Sequence, residues 1–410
     1  MDTLVQRCAG LDIGKADLKA CLRIPGERGR RRQEIRTFAT TTPALLELRD
    51  WLSANDVTLV GMEATGDYWK PVYYLLEDAF DVQLLNARHM HNVPGRKTDV
   101  ADSAWIAQLL EHGLVRPSFV PPPRIRRLRD LTRYRTTLVH ERTREVQRLE
   151  KILEDAGIKL STVASKTLSV SGRAMIEALI AGERDPNVLA DLAMARMRAK
   201  IPALRDALIG RFSDHHAFIC RTMLDRIDAV TATIDAVSTR IDEEISPFLA
   251  IVARLDTVPG ISTRIAQVII AEIGVDMTRF PTAGHLASWA GMCPGNYESA
   301  GKHLGGTTRK GDSWLRGALG EAGASAARSK DTYLRSRYRR LAARRGKKRA
   351  LVAVGHSILT AIWNMISNDT DYTDLGAAYY LTRTDPARQA RRLVGQLHQL
   401  GYQATLNPVT

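Results

Sequence analysis

The chain has 410 residues, too many for one small core, so two or three domains are expected. With 44% hydrophobic and 25% charged residues it reads as an ordinary globular protein, and no apolar run approaches the roughly 18 residues of a membrane span. Its net charge of +14 points to a polyanionic partner and sets acidic-protein chemistry aside.

The first residues, Met1 to Arg7, lack a basic region followed by an apolar core, so no signal peptide is expected. Cys8, Cys21, Cys220 and Cys293 are scattered without a Cys-x-x-Cys pair. That pattern argues against a zinc site or a disulfide framework and fits a reducing cytoplasm.

In chain order, residues 7–13, 17–23 and 33–39 read as three short strands of an antiparallel meander. A helix at 43–54 follows, with Thr41 or Thr42 as N-cap and Pro43 just inside. Strand 57–62, helix 68–79, strand 81–86 and helix 98–113 complete a βββαβαβα order. Such an order predicts an α/β or α+β domain over 1–120, a mixed sheet with helices on its faces. Pro121-Pro122-Pro123, after Pro117, closes it as a stiff linker.

The region 121–250 reads as a helical, coiled-coil-like middle. One long helix runs from Arg124 to about Ala156, with a leucine-rich stripe and nine arginines before residue 149. A second runs from about 215 to 245. The two form either an intramolecular pair or an arm or dimer interface. Residues 165–212 between them read as several shorter helices. A mostly α domain follows over 251–370, and a tail over 371–410. Pro259-Gly260 divides two helical patterns there, like a helix-hairpin-helix whose backbone amides face a DNA phosphate, or like a plain core connector.

Four carboxylates carry the chemical signal. Asp12 ends the apolar run Cys8-Ala9-Gly10-Leu11-Asp12, and Glu63 ends Leu59-Val60-Gly61-Met62-Glu63. Asp99 and Asp102, three residues apart, share one helix face. Acids on two strand ends and one helix face suit hard divalent cations, two Mg²⁺ or alternatively Mn²⁺, as phosphoryl transfer on nucleic acid requires. Taken singly, each is as readily a turn or cap residue. Leu11-Asp12-Ile13-Gly14-Lys15 also suits an actin-like sugar kinase, but the dense glycines such an enzyme needs lie among basic residues of another domain.

The charge is concentrated. Residues 301–350 hold fifteen Lys or Arg against three acids. No basic amphipathic helix with an aromatic face stands out, which favours nucleic acid over anionic membrane.

Several motifs together resemble a known family. Leu11-Asp12-Ile13-Gly14-Lys15, Met62-Glu63-Ala64-Thr65-Gly66-Asp67-Tyr68 and Arg96-Lys97-Thr98-Asp99-Val100-Ala101-Asp102 are similar to the DEDD-type transposases of the one-hundred-and-ten family of bacterial insertion sequences. Val258-Pro259-Gly260-Ile261, Ala290-Gly291-Met292-Cys293-Pro294, Tyr297-Glu298-Ser299 and Arg309-Lys310-Gly311-Asp312 follow that family's second domain. The resemblance spans about residues 7–370. It implies a RuvC-like, ribonuclease-H-type amino-terminal domain holding Mg²⁺ with Asp12, Glu63, Asp99 and Asp102. It implies a nucleophilic serine at Ser299 that cuts and rejoins DNA through a covalent phosphoserine. It further implies donor and target DNA and a structured guide ("bridge") RNA as partners, and dimers that join into a tetramer. Where the family has Gly after its serine, this chain has Ala300, with Gly301 next.

A serine hydroxyl needs activation, and no Ser-His-Asp arrangement is evident near Ser299. The metals of the acid cluster are the better activator if folding or assembly brings the domains together. Lys302, Arg309, Lys310 and Arg316 are expected to hold phosphates, since Arg pairs bidentately with their oxygens. Arg335, Arg337, Arg339 and Arg340 would track the backbone, with Tyr333 and Tyr338 stacking on bases. The expected function is an RNA-guided DNA recombinase of the cytoplasm. The alternatives are a metal-only junction resolvase and a non-catalytic RNA- or DNA-binding protein.

Overall fold

A computed structural model describes residues 4–27, 30–64, 66–86, 102–294, 298–299, 301–303, 308–382 and 385–406. The chain divides into two compact units, Met1–Val120 and Pro121–Thr410.

The first unit is built on a five-stranded sheet. Strands β1 (Cys8–Ile13), β2 (Asp17–Pro25) and β3 (Arg31–Ala39) form the antiparallel meander, and β4 (Leu59–Glu63) and β5 (Asp81–Leu85) add parallel to β1. The order across the sheet is β3-β2-β1-β4-β5. Helix α1 (Thr42–Ala54) starts where Pro43 needs no amide partner, after Thr41 in extended conformation. Its Leu45, Leu48, Trp51 and Leu52 pack with Val72 and Leu76 of α2 (Trp69–Leu76) on the face carrying Ala9, Leu11, Val60 and Met62. The opposite face carries Cys8, Leu59 and Leu85 and is covered by Ile106, Leu109 and Leu110 of α3 (Asp102–Glu111). This is a mixed sheet with helices on both faces, as the element order predicts. Residues 98–101 of the expected 98–113 helix lie outside the described residues.

The second unit is helical apart from one small hairpin among the described residues. Helix α4 (Pro123–Asp155) and α9 (Asp214–Ile245) lie antiparallel: Arg127 Nε donates to Glu244 at 3.3 Å near one end, and Leu149 and Leu153 meet Cys220, Leu224 and Ile227 near the other. The long helices are therefore an intramolecular pair. Between them, α5 (Leu160–Val163), α6 (Val170–Ile180), α7 (Pro186–Asp191) and α8 (Ile201–Ala207) close a small apolar core at the far end.

After the pair come α10 (Leu249–Asp256), α11 (Thr263–Ile273), α12 (Ala283–Trp289), the two-stranded hairpin β6 (Glu298–Ser299) and β7 (Lys302–His303), α13 (Ser313–Ala326), α14 (Tyr333–Arg345) and α15 (Lys347–Ser367). Short α16 (Tyr379–Thr382) and α17 (Pro386–Gln399) end the chain.

The Pro259-Gly260 turn joins α10 to α11. A Cβ on Gly260 would meet the Ala322 carbonyl oxygen of α13 at 2.2 Å, and Gly260 has φ +96°. One side of the turn backs onto a neighbouring helix, while Ser262, Thr263 and Arg264 at the start of α11 are exposed. Among the described residues one helix, α15, is apolar and long enough to cross a membrane by length and composition. Its Ala350, Val354, Ile358, Leu359 and Ile362 are buried inside the unit instead.

Candidate functional site

Strand parity places the first acids. Along β1, Ala9, Leu11 and Ile13 enter the α1–α2 core, so Cys8, Gly10 and Asp12 share the α3 face. Along β4, Val60 and Met62 do the same, leaving Leu59, Gly61 and Glu63 on the α3 face. The parallel register pairs Leu11 with Met62, so Asp12 and Glu63 stand one step beyond it, side by side at the carboxyl ends of neighbouring strands. Neighbouring strands lie about 4.8 Å apart.

The helix above them is set by two glycines. A Cβ on Gly10 would lie 2.3 Å from the Ser103 carbonyl oxygen and 2.4 Å from the Ala107 nitrogen, and one on Gly61 would lie 2.4 Å from Leu110 Cδ1. Glycine in the strand thus lets the α3 backbone sit directly on the sheet. Helix α3 runs opposite to β1: Ser103 lies over Gly10, the Cys8 thiol donates to the Ala107 carbonyl at 3.4 Å, and the Glu111 carbonyl accepts from Leu4 at 2.9 Å. Its amino terminus, and with it Asp102, therefore points to the end of the sheet where Asp12 and Glu63 stand. All three acids are half-buried. Asp102 also opens α3, where a carboxylate complements the helix dipole. At the other end, buried Glu111 holds the helix down through Arg23 and through Arg31 at 2.7 Å. The glycines and this latch went unread in the sequence, although Gly inside a strand pattern is their signal.

Asp99 lies outside the described residues. Among the described residues no group of three or more His, Cys, Asp or Glu is close enough together to hold a metal ion. The donors that share the sheet end are carboxylates, and all-oxygen donor sets fit hard cations such as Mg²⁺ rather than softer metals.

In the second unit, Ser299 and Lys302 pair across the β6–β7 hairpin, and Glu298 pairs with His303. For Ser299 and Lys302 only the backbone is described. Gly301 takes φ +75°, the left-handed conformation a tight turn needs. The segments that precede and follow the hairpin in sequence meet as a neck. Pro294 bridges Thr308, and a Cβ on Gly311 would lie 2.4 Å from the Gly291 nitrogen, so the two backbones touch. Arg316 donates to the Arg309 carbonyl at 3.5 Å and to Thr308 Oγ1 at 3.4 Å. It braces the neck, while Arg309 and Lys310 beside it are exposed.

The neck is anchored to α4. Asp312 caps α13 by accepting from the Leu315 nitrogen at 2.7 Å, and it pairs with Arg133 at 3.1 Å. Arg133 is also bidentate to Glu272 at 2.8 and 2.7 Å. Arg129 donates to the Glu272 backbone carbonyl at 2.6 Å and to the Ala271 carbonyl at 3.1 Å. Glu272 is fully buried. Burial pushes its carboxyl above the usual range, and Arg133 opposes that shift. Neither Arg133 nor Glu272 stood out in the sequence. The available signal was a lone acid in Ile269-Ile270-Ala271-Glu272-Ile273 facing an arginine-rich helix.

The arginines of α14 divide. Arg335 and Arg337 are half-buried, and Arg337 donates to the hydroxyls of Tyr380 at 3.2 Å and Tyr333 at 3.4 Å. The Arg340 guanidinium lies 4.2 Å from the Tyr380 ring centroid. Arg339, Arg344, Arg345, Lys347, Lys348 and Arg349 are exposed and form the cationic tip of the α14–α15 pair.

Comparison with known proteins agrees in both units. A family model for DEDD-type sequences of the IS110 group, described as Transposase, matches residues 9–158. A second, described as Transposase IS116/IS110/IS902 family, matches residues 252–339. The chain is 34% identical over 122 residues to the insertion element IS110 uncharacterized 43.6 kDa protein of Streptomyces coelicolor. That stretch spans 29% of each chain, under a third of the relative's length.

Proposed function

We propose that this chain, which belongs to the IS110 family of transposases, cuts and rejoins DNA by forming a covalent bond between Ser299 and a DNA phosphate. The observation that carries this reading is the convergence of Asp12, Glu63 and the amino terminus of α3 on one end and one face of the sheet. With Asp99, these residues would hold divalent cations, Mg²⁺ or Mn²⁺, which would supply charge stabilisation to phosphoryl transfer. Ser299 Oγ attacks phosphorus, the phosphodiester bond to the leaving deoxyribose oxygen breaks, and the energy of that bond is kept in the phosphoserine for rejoining. Arg309 and Lys310, exposed beside the neck, and the cationic tip of α14–α15 supply the phosphate contacts. The RuvC-like, ribonuclease-H-type character of the first unit, the guide RNA and the dimer-to-tetramer assembly are carried over from the family resemblance. The concentration of exposed cations supports a nucleic-acid partner of either kind.

The test is Ser299→Ala. It is expected to remove the covalent protein–DNA adduct while leaving DNA binding intact, and an adduct that persists overturns the serine assignment. Cutting without any adduct in the unaltered protein would identify a metal-only nuclease. No cutting in Mg²⁺, with Asp12→Asn changing nothing, would identify a binding protein. Guide RNA is tested by whether a structured RNA co-purifies and specifies which DNA is joined.

A further inference from the structure

Between α14 and α15 lies an open cleft of about 490 Å³, within the size range of small-ligand sites. Its floor is apolar, with Leu334, Ile358 and Met365 all buried. Tyr333 forms one wall. Its ring is supported by Tyr380, with centroids 5.6 Å apart and planes 25° apart, and by the edge of Tyr379 at 5.0 Å. Two nitrogen-bearing side chains join the lining, Arg337 and His356. The Arg337 Nε is buried and has no acceptor among the described residues, although buried donors are almost always paired. Burial, and then the charge of Arg337, hold the His356 imidazole below its usual range. It is therefore neutral at neutral pH; its Nε2 lies 4.0 Å from the Cys293 Sγ, which leaves one ring nitrogen for a ligand.

The acids around the cleft are engaged by the protein. Asp371 pairs with Arg254 at 3.2 Å. Asp374 accepts from the Tyr333 nitrogen at 2.9 Å and the Gly376 nitrogen at 2.7 Å. A polyanion approaching the cleft meets the exposed cations Arg344, Arg345, Lys347 and Lys348 at the tip of the same helix pair. Arg337 and Arg344 are seven residues apart on α14, about 10 Å along its axis.

We propose that this cleft receives one unpaired nucleobase from a strand whose phosphates follow the α14–α15 tip. An apolar floor and a braced tyrosine suit the base's flat face. The Arg337 guanidinium and the neutral His356 imidazole in the lining suit its polar edge. A base stacked inside a duplex does not present both, so the cleft separates unpaired from paired nucleic acid. This rests on the nucleic-acid reading above but assigns a site apart from Ser299 and the acids.

The test measures binding of the full chain, at one fixed salt concentration, to three short probes of the same sequence: unpaired DNA, unpaired RNA and duplex DNA. Ala361→Phe fills the cleft, and Arg337→Met removes the guanidinium while keeping the stem. Both variants are expected to weaken an unpaired probe about tenfold while leaving the duplex nearly unchanged. Whether the DNA or the RNA probe suffers identifies the source of the base. If unpaired and duplex binding stay level or fall together in both variants, the cleft has no such role, while nucleic-acid binding itself stands. If the unaltered chain binds none of the probes, the nucleic-acid reading falls and takes the cleft with it.

Discussion

In the amino-terminal unit, Asp12 and Glu63 stand on neighbouring strands of a five-stranded sheet, and Asp102 opens a helix pressed onto that sheet through Gly10 and Gly61. In the carboxy-terminal unit, Ser299 stands in a strand of two residues whose only sheet partner among the described residues is the other arm of its own hairpin. The acids inherit their places from a core that must exist for the unit to fold at all. The hairpin is placed by its neck: the Gly291–Gly311 contact, the Pro294–Thr308 bridge and the Arg133–Asp312 pair. The first region is positioned by packing and the second by tethering. Substitutions at the acid edge should therefore change stability and activity together. Those at the hairpin should separate the two.

The largest effect is expected at Gly10. Leucine there has no room against the Ser103 and Ala107 backbones, so Gly10→Leu should cost about 4 kcal/mol or more and leave the first unit poorly folded. Urea unfolding followed with unit-specific probes measures this. A loss confined to activity, with stability intact, would mean that α3 moves away at little cost and that packing does not set the acid edge.

Next is Glu272, the tether's buried anchor. Glu272→Gln keeps the shape but leaves Arg129 and Arg133 with only the Asp312 carboxylate, already paired with Arg133, as counter-charge. It should cost about 3 kcal/mol. Arg133 would also hold Asp312 less well, so the neck segment 308–312 should exchange its amide hydrogens faster than α11 does. Uniform acceleration across the unit would show that the pair stabilises the core and does not serve the neck in particular.

This contrast also explains what the sequence disclosed. Strand alternation and the acids at strand ends were readable because parity is local: Leu11 inside implies Asp12 on the other face. The helical pair was readable from its apolar stripes, but whether it closed within the chain was not, since that depends on which surface meets which. The neck was hidden because Gly291 and Gly311, and Arg133 and Asp312, are brought together only by the fold. Arg316, Arg337 and Arg340 read as free phosphate contacts for the same reason. Sequence shows a charge but not the carbonyl or tyrosine already beside it.

A smaller, opposite effect is expected on α4 itself. Arg135 is 4% exposed, and two of its nitrogens have no partner among the described residues. Burial, and then the charge of Arg264, lower its pKa to about 10. Arg135→Met should therefore stabilise the unit by about 1.5 kcal/mol, seen as a higher melting temperature. A loss of stability would show that Arg135 has a partner in solution that supplies the missing acceptors, and α4 would then be more than scaffold.

The smallest change in stability, and the sharpest separation, should come from Gly301→Ala. Gly10 and Gly301 are both glycines near proposed catalytic residues, but for different reasons. Gly10 lacks space for a Cβ; Gly301 has nothing within 4 Å of one among the described residues, and its φ is +75°. Alanine in the left-handed region costs about 1 kcal/mol. In a hairpin outside the cooperative core, that cost should lower the population of the paired turn and scarcely shift the melting temperature. Adduct formation should then fall roughly fivefold, the rate equivalent of about 1 kcal/mol. If Gly301→Ala instead lowers the melting temperature alongside activity, the hairpin is packed as part of the core, and the distinction between packed acids and a tethered serine fails.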